Sequence, residues 1–312
     1  MAQPAVWDDP EPLAVSSAPV PEYGSGSLAD LLPTLAAGMG VPGMTAAIPE
    51  LTPADRNCVF LIDGLGWEQI KAHRDEAPYL HSLLGSSRGG TGRPLTAGYP
   101  ATTATSLASV GTGLPPGAHG LPGYTVRDPA TGELMNQLRW QPWTSPQAWQ
   151  PYPTVFQLAE AAGVHAAQVS SPHFQNTPLT KVALSGGTFH GRLTGEERMD
   201  FAAEQLAAGD RSLVYTYYAE LDGAGHRYGV ASDTWRGQLM YVDRSSSASP
   251  SSFRRAARST SPPTTAWSTC PSTRTTASTS TRTGSCAPAS PCWAARAAPA
   301  MSTPYRAPRT TS

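Results

Sequence analysis

From Ser245 to Ser312 the sequence contains no Asp, Glu, Lys or His, and no Leu, Ile or Val. A segment without branched aliphatic residues has little to bury, so this stretch is expected to be disordered and to add no core. It is built mostly from Ser, Thr, Ala, Pro and Arg. Eight arginines, with no acid, give it a charge of +8; taken from the chain's net −1, that leaves −9 on residues 1–244. An acidic body excludes a nucleic-acid polymer as partner, since such proteins carry a basic face. Cysteine is scarce as well. Cys58 is the only one before Ser245 and sits in an apolar run, the setting of a buried thiol; Cys270, Cys286 and Cys292 lack zinc-site spacing. No apolar run is long enough for a bilayer, so no membrane partner is expected. The first residues carry Asp8, Asp9 and Glu11 among prolines rather than a basic start and an apolar run. The expected location is therefore the cytoplasm.

What is there divides into three parts: a Pro/Ser-rich arm over residues 1–27, expected to be flexible, a body over 28–244, and the tail over 245–312. Within the body, Leu28–Gly38 reads as a short helix. Asn57–Ile62 is a continuous apolar run ending at Asp63-Gly64, the pattern of a buried parallel strand with a polar group at its carboxyl end. Trp67–Leu84 reads as a helix interrupted near Pro78, and Thr103–Val110 as a helix ending at Gly111. Pro153–Ala162 is amphipathic, with Gly163 past its end. His165–Val169 and Ser212–Tyr218 are further strands, each followed by polar residues, and Asp233–Arg244 is a helix. Strands alternating with helices predict an α/β fold: a largely parallel sheet, helices on both faces, and ligands at the strands' carboxyl ends.

Three constellations carry chemistry. Asp63-Gly64 places a carboxylate at a strand end, where it suits a cation or caps a turn. Tyr99-Pro100-Ala101-Thr102-Thr103-Ala104-Thr105 puts hydroxyls at a helix start, where one can serve as nucleophile or as N-cap. Spacing alone leaves Thr102, Thr103 and Thr105 as rivals. Glu220-Leu221-Asp222-Gly223-Ala224-Gly225-His226 separates an acid and an imidazole by four residues, so both can reach one cation.

In this order, from Asn57 to Arg244, the three motifs resemble the alkaline phosphatase superfamily, and within it the nucleotide pyrophosphatase/phosphodiesterase family. Thr112-Gly113, His119-Gly120 and Gly229 extend the likeness. The resemblance implies an alkaline phosphatase-like fold, truncated here by the tail. It implies a hydrolase of phosphodiesters or nucleotide pyrophosphates acting on a small molecule. Two divalent ions are implied, zinc or else manganese, with Asp63 and Thr103 on one and Asp222 and His226 on the other. Thr103 would attack phosphorus, and water would hydrolyse the resulting phosphothreonine. Two departures stand out. Where the family has an Asn that helps hold a phosphate oxygen after His-Gly, this chain has Pro122-Gly123-Tyr124, a departure that counts against nucleotides specifically; Tyr124 is the substrate-binding candidate there. Three further ligands, an Asp-His pair and a later His, are missing: no His follows His226 and no Asp follows Asp243.

The tail's composition has a simple candidate cause, a shift of reading frame. Moved back by one base, TCN serine codons become Phe, Leu, Ile or Val. Threonine codons become Asp, Asn, His or Tyr, and alanine codons become Gly, Ser, Arg or Cys. Ser259-Thr260-Ser261 is then permitted to read Leu-Tyr-Val, and the codons straddling Pro263 to Ala266 to read Asp-His-Gly. The codon straddling Ala300 and Met301 permits the later His. The expectation is a frameshifted family member, with a natural Ser/Thr/Pro/Arg-rich tail as the alternative cause; the alternative function is a catalytically inactive remnant lacking half of its metal ligands.

Overall fold

The computed structural model describes residues 20–84, 93–140 and 146–248, and the backbone of 264–270. The chain begins with α1 (Leu28–Gly38), β1 (Arg56–Asp63), α2 (Trp67–Ala72), α3 (Pro78–Leu83), α4 (Thr103–Thr112) and α5 (Pro116–His119). A small antiparallel hairpin, β2 (Thr125–Arg127) with β3 (Leu134–Asn136), precedes α6 (Pro146–Trp149), α7 (Val155–Ala161) and β4 (His165–Ser170). Then come α8 (Pro178–Ala183), β5 (Thr188–Gly191), α9 (Gly195–Ala207), β6 (Ser212–Tyr218), α10 (Glu220–Tyr228), α11 (Asp233–Ala248) and β7 (Thr264–Cys270).

Five strands form one sheet in the order β5-β4-β6-β1-β7, every pair parallel. Its centre reads as continuous apolar sequence because both faces are covered: all of β6 and all of β1 after Arg56 are buried. Alternation assigns the faces. Val59, Leu61, Ala166, Leu213, Tyr215 and Tyr217 pack under α1, α4, α7 and α8. Cys58, Phe60, Ile62, Ala167, Val169 and Val214 pack under α9, α10 and α11. The Cys58 thiol is buried in that second layer, which pushes it up to about 12, so it stays a protonated, inert core group. Among the described residues no helix is long and apolar enough to cross a membrane.

Several boundaries differ from the sequence reading. α4 runs through Gly111 and ends at Gly113, whose φ of 71° closes the helix. Gly111 is a packing residue: a Cβ there would lie 1.8 Å from the Ala183 carbonyl oxygen of α8. α11 continues past Arg244 to Ala248, with Ser245 and Ser246 buried. The body thus extends beyond the composition change because small hydroxyl residues fit a helix against a neighbour; the Ser246 hydroxyl satisfies itself on the Val242 carbonyl. The disordered tail expected from Ser245 onward is also interrupted by β7, which pairs with β1 from Asn57↔Thr264 to Asp63↔Cys270. Backbone hydrogen bonding to an open strand edge requires no particular side chain, so composition does not forbid it. The rest of the tail and residues 1–19 lie outside the described residues.

Candidate functional site

Asp63 ends β1 and is buried, so its charge must be met by local donors. Thr103 Oγ1 donates to Asp63 Oδ2 at 3.1 Å, Tyr217 Oη donates to the same oxygen at 2.5 Å, and the Gly64 amide donates to Oδ1 at 3.0 Å. Burial nonetheless raises the carboxyl to about 6, with the charge of Asp222 adding to the rise and the three hydrogen bonds opposing it. Tyr217 is the site residue that sequence reading missed. A signal existed: Leu61 pairs with Tyr217, and alternation puts Tyr217 on the same face as Asp63.

The Glu220–His226 motif lies in the helix α10. One helical turn brings His226 Nε2 to 3.5 Å from Asp222 Oδ1. His226 is largely exposed, whereas Asp222 is half-buried and faces the cleft, and burial raises its carboxyl. Asp222 reaches Asp63 because Gly64 stands between them. Gly64 has φ 74°, and a Cβ there would lie 2.6 Å from the Asp222 Cα. Only glycine permits both that conformation and that approach.

α10 is anchored by Arg198 of α9, a buried side chain. Its Nη1 and Nη2 donate to Glu220 Oε2 and Oε1 at 3.0 and 2.6 Å. Nη1 also reaches the Tyr217 carbonyl, Nη2 the Leu193 carbonyl and Nε the Arg192 carbonyl. All five guanidinium donors are thereby used, which makes burial of the charge tolerable. Glu220 therefore fixes the first turn of the helix carrying Asp222.

The three rival threonines separate. Thr102 is the N-cap of α4, accepting from the Thr105 amide and lying 3.0 Å from the Thr105 hydroxyl. Thr105 is fully buried against it. Thr103, the first helical residue, is the one directed at Asp63. His119 is an internal brace: its Nδ1 accepts from the Leu121 amide, so Nε2 carries the proton toward Ser109 Oγ at 3.0 Å. Burial lowers it to about 4 and keeps it neutral. Tyr124 is half-exposed and stands outside the walls of the cavity that opens beside Asp63, Thr103 and Asp222. That cavity, about 240 Å³, runs under α4 and α8 and has mainly apolar and aromatic walls.

Two mutually repelling carboxylates, a hydroxyl and an imidazole are the donor types a divalent cation takes. Their number falls short. Among the described residues no three His, Cys, Asp or Glu side chains converge on one metal position. Asp63, Thr103 and Asp222 line one cavity, and the exposed His226 meets Asp222 from outside it.

Residues 57–247 match the family model for type I phosphodiesterase / nucleotide pyrophosphatase, well over half of the chain. The chain belongs to that family. The match starts within β1 and ends within α11, next to the composition change at Ser245. Among solved structures, murine ectonucleotide pyrophosphatase/phosphodiesterase 5 superposes with a TM-score of 0.50 at 20% identity, covering 64% of this chain and 53% of that one. It has been solved on its own and, as an inactive threonine-to-alanine variant, with AMP. Phosphonoacetate hydrolase from Sinorhizobium meliloti, with phosphonoformate, gives a TM-score of 0.46 at 18% identity over 68% of this chain and 56% of that one. No curated protein sequence matches. The family member in hand therefore has the alkaline phosphatase-like fold and spans about half the length of its murine structural neighbour.

Proposed function

We propose that this family member is built to hydrolyse phosphoesters of small molecules, phosphodiesters or nucleotide pyrophosphates, with Thr103 as nucleophile. The observation that carries the reading is the 3.1 Å contact from Thr103 Oγ1, at the first position of α4, to the buried carboxylate of Asp63. Thr103 Oγ1 forms a bond to phosphorus as the ester oxygen leaves with its electron pair, giving a phosphothreonine. Water then cleaves that phosphoester and frees the hydroxyl. The N-terminus of α4 faces the phosphoryl group with a partial positive charge. Activity that is lost on a threonine-to-alanine change in the murine neighbour supports a threonine nucleophile. A divalent ion, zinc or manganese, held by Asp63 and Asp222 would offset their repulsion and make a neighbouring hydroxyl more acidic.

We propose further that the chain as written is inactive, or nearly so, because its reading frame shifts near Ser245. Three facts support this: the family match stops at residue 247, the composition changes at Ser245, and no His follows His226 and no Asp follows Asp243. The test compares the chain as written with one whose frame is restored by a single base. Bis(4-nitrophenyl) phosphate is offered to both with zinc or manganese. Turnover is expected only from the restored protein, and Thr103→Ala is expected to lower it by at least ~10³-fold while Thr102→Ala costs mainly stability. Normal turnover by Thr103→Ala would remove the nucleophile assignment. Equal turnover by both chains would remove the frameshift.

A further inference from the structure

The cavity of about 240 Å³ beside Thr103 is large for a packing defect and is not a random void. Its floor is one face of the sheet: Asp63 of β1, Tyr215 and Tyr217 of β6, and Gln168 and Ser170 of β4. Its roof is Leu107 of α4 with Leu179 and Leu184 at α8. Phe174 closes one side, its ring 5.3 Å from that of Tyr217 in an edge-on contact. Ser170 is among the lining residues. It is 3% exposed, and its Oγ has no hydrogen-bond partner among the described residues. A hydroxyl buried in this way is costly unless something fills the space before it. Ser170 lies two strands from Asp63 in the order β4-β6-β1 and, by the register, is level with Leu61, which sets the two about 12 Å apart.

We propose that this cavity receives the organic group on phosphorus and selects an aryl ester whose ring carries a polar atom at its far end. The inference rests on the phosphoryl-transfer reading above, which puts phosphorus at Thr103. A single ring joined to phosphorus through one oxygen reaches from there into the apolar section, edge-on to Phe174 and Tyr217, and brings a para substituent to Ser170 Oγ. A nucleoside, whose sugar separates phosphate from base, is too long for that span.

Calorimetric titration of the full chain as written tests this without turnover. The ligands are methylphosphonate, phenylphosphonate, 4-hydroxyphenylphosphonate, AMP and free phenol. Phenylphosphonate is expected to bind about tenfold tighter than methylphosphonate, from burial of the ring. The 4-hydroxy group should add about fivefold, an advantage lost in Ser170→Ala. Two filled variants, Ser170→Val and Leu184→Phe, should abolish the preference for the ring, and either serves if the other fails to fold. The proposal is overturned if phenyl and methyl compounds bind alike, if the preference survives filling, or if AMP binds more tightly than 4-hydroxyphenylphosphonate. Saturable phenol binding that is lost on filling, with no phosphonate bound, would uphold the pocket and overturn the phosphoryl reading instead. Absence of binding by every ligand overturns both.

Discussion

At the scale of single residues, the pair Asp63 and Asp222 governs how the protein responds to pH. The Asp63 carboxyl is raised to about 6 in the fold from an ordinary value of 3.8. The folded state thus holds a proton that the unfolded state releases more readily. The group costs nothing below about pH 4, and its cost grows as the pH rises through 6. In chelator-treated protein, Asp63→Asn is expected to increase stability at pH 7, on the order of 3 kcal/mol at most, and to change it little at pH 4. Urea titrations at the two pH values measure this. A gain at pH 4 equal to that at pH 7 would show that the carboxylate is not under electrostatic stress. Gly64→Ala makes a second demand. It must place a Cβ against the Asp222 backbone while holding φ at 74°. A loss of more than about 1 kcal/mol is expected, with the cost falling on the Asp222 helix.

At the scale of elements, the Arg198 clamp should determine whether α10 stays docked. Arg198→Met removes five hydrogen bonds at once and is expected to cost about 3 kcal/mol. Hydrogen exchange over Glu220–Tyr228 should accelerate more than over β1. Arg198→Lys should rescue poorly, since an ammonium cannot reproduce the planar fork. If exchange rose uniformly, the clamp would be ordinary core packing. The elements also differ in how visible they are in the sequence. β1, β4 and β6 can be read because each is an apolar run closed by polar residues, which a parallel sheet buried on both faces requires. α10 is hidden by Gly223 and Gly225, which lower helix propensity while tertiary contacts hold the helix together. α9 carried its signal openly: Thr194 and Glu197 form a reciprocal cap, yet the polar sequence that follows obscures the helix. Asp63, Asp222 and His226 announce themselves as residue types at fixed spacing. Tyr217 and Arg198 do not, because their roles depend on which strand face or helix neighbour they meet.

At the scale of the whole molecule, the sheet has one edge formed by β5 and the other by β7. A chain ended at Ala248 would leave β1 unpaired on that side, although its residues after Arg56 are all buried. Such an edge invites association, so the shortened chain is expected to form dimers or larger species where the full chain does not. Light scattering after size exclusion distinguishes the two; a monodisperse shortened monomer would show that β7 contributes nothing to covering β1.

The parallel register also has a temporal consequence. Arg56 is hydrogen-bonded alongside Ser212, so β1 leaves the ribosome long before the strand that completes it. At ordinary rates of translation the interval is roughly ten to thirty seconds. Throughout it, an oily ribbon of Cys58, Val59, Phe60, Leu61 and Ile62 waits without a neighbour. The nascent polypeptide would need a chaperone's shelter for about half of its birth, whatever its mature activity.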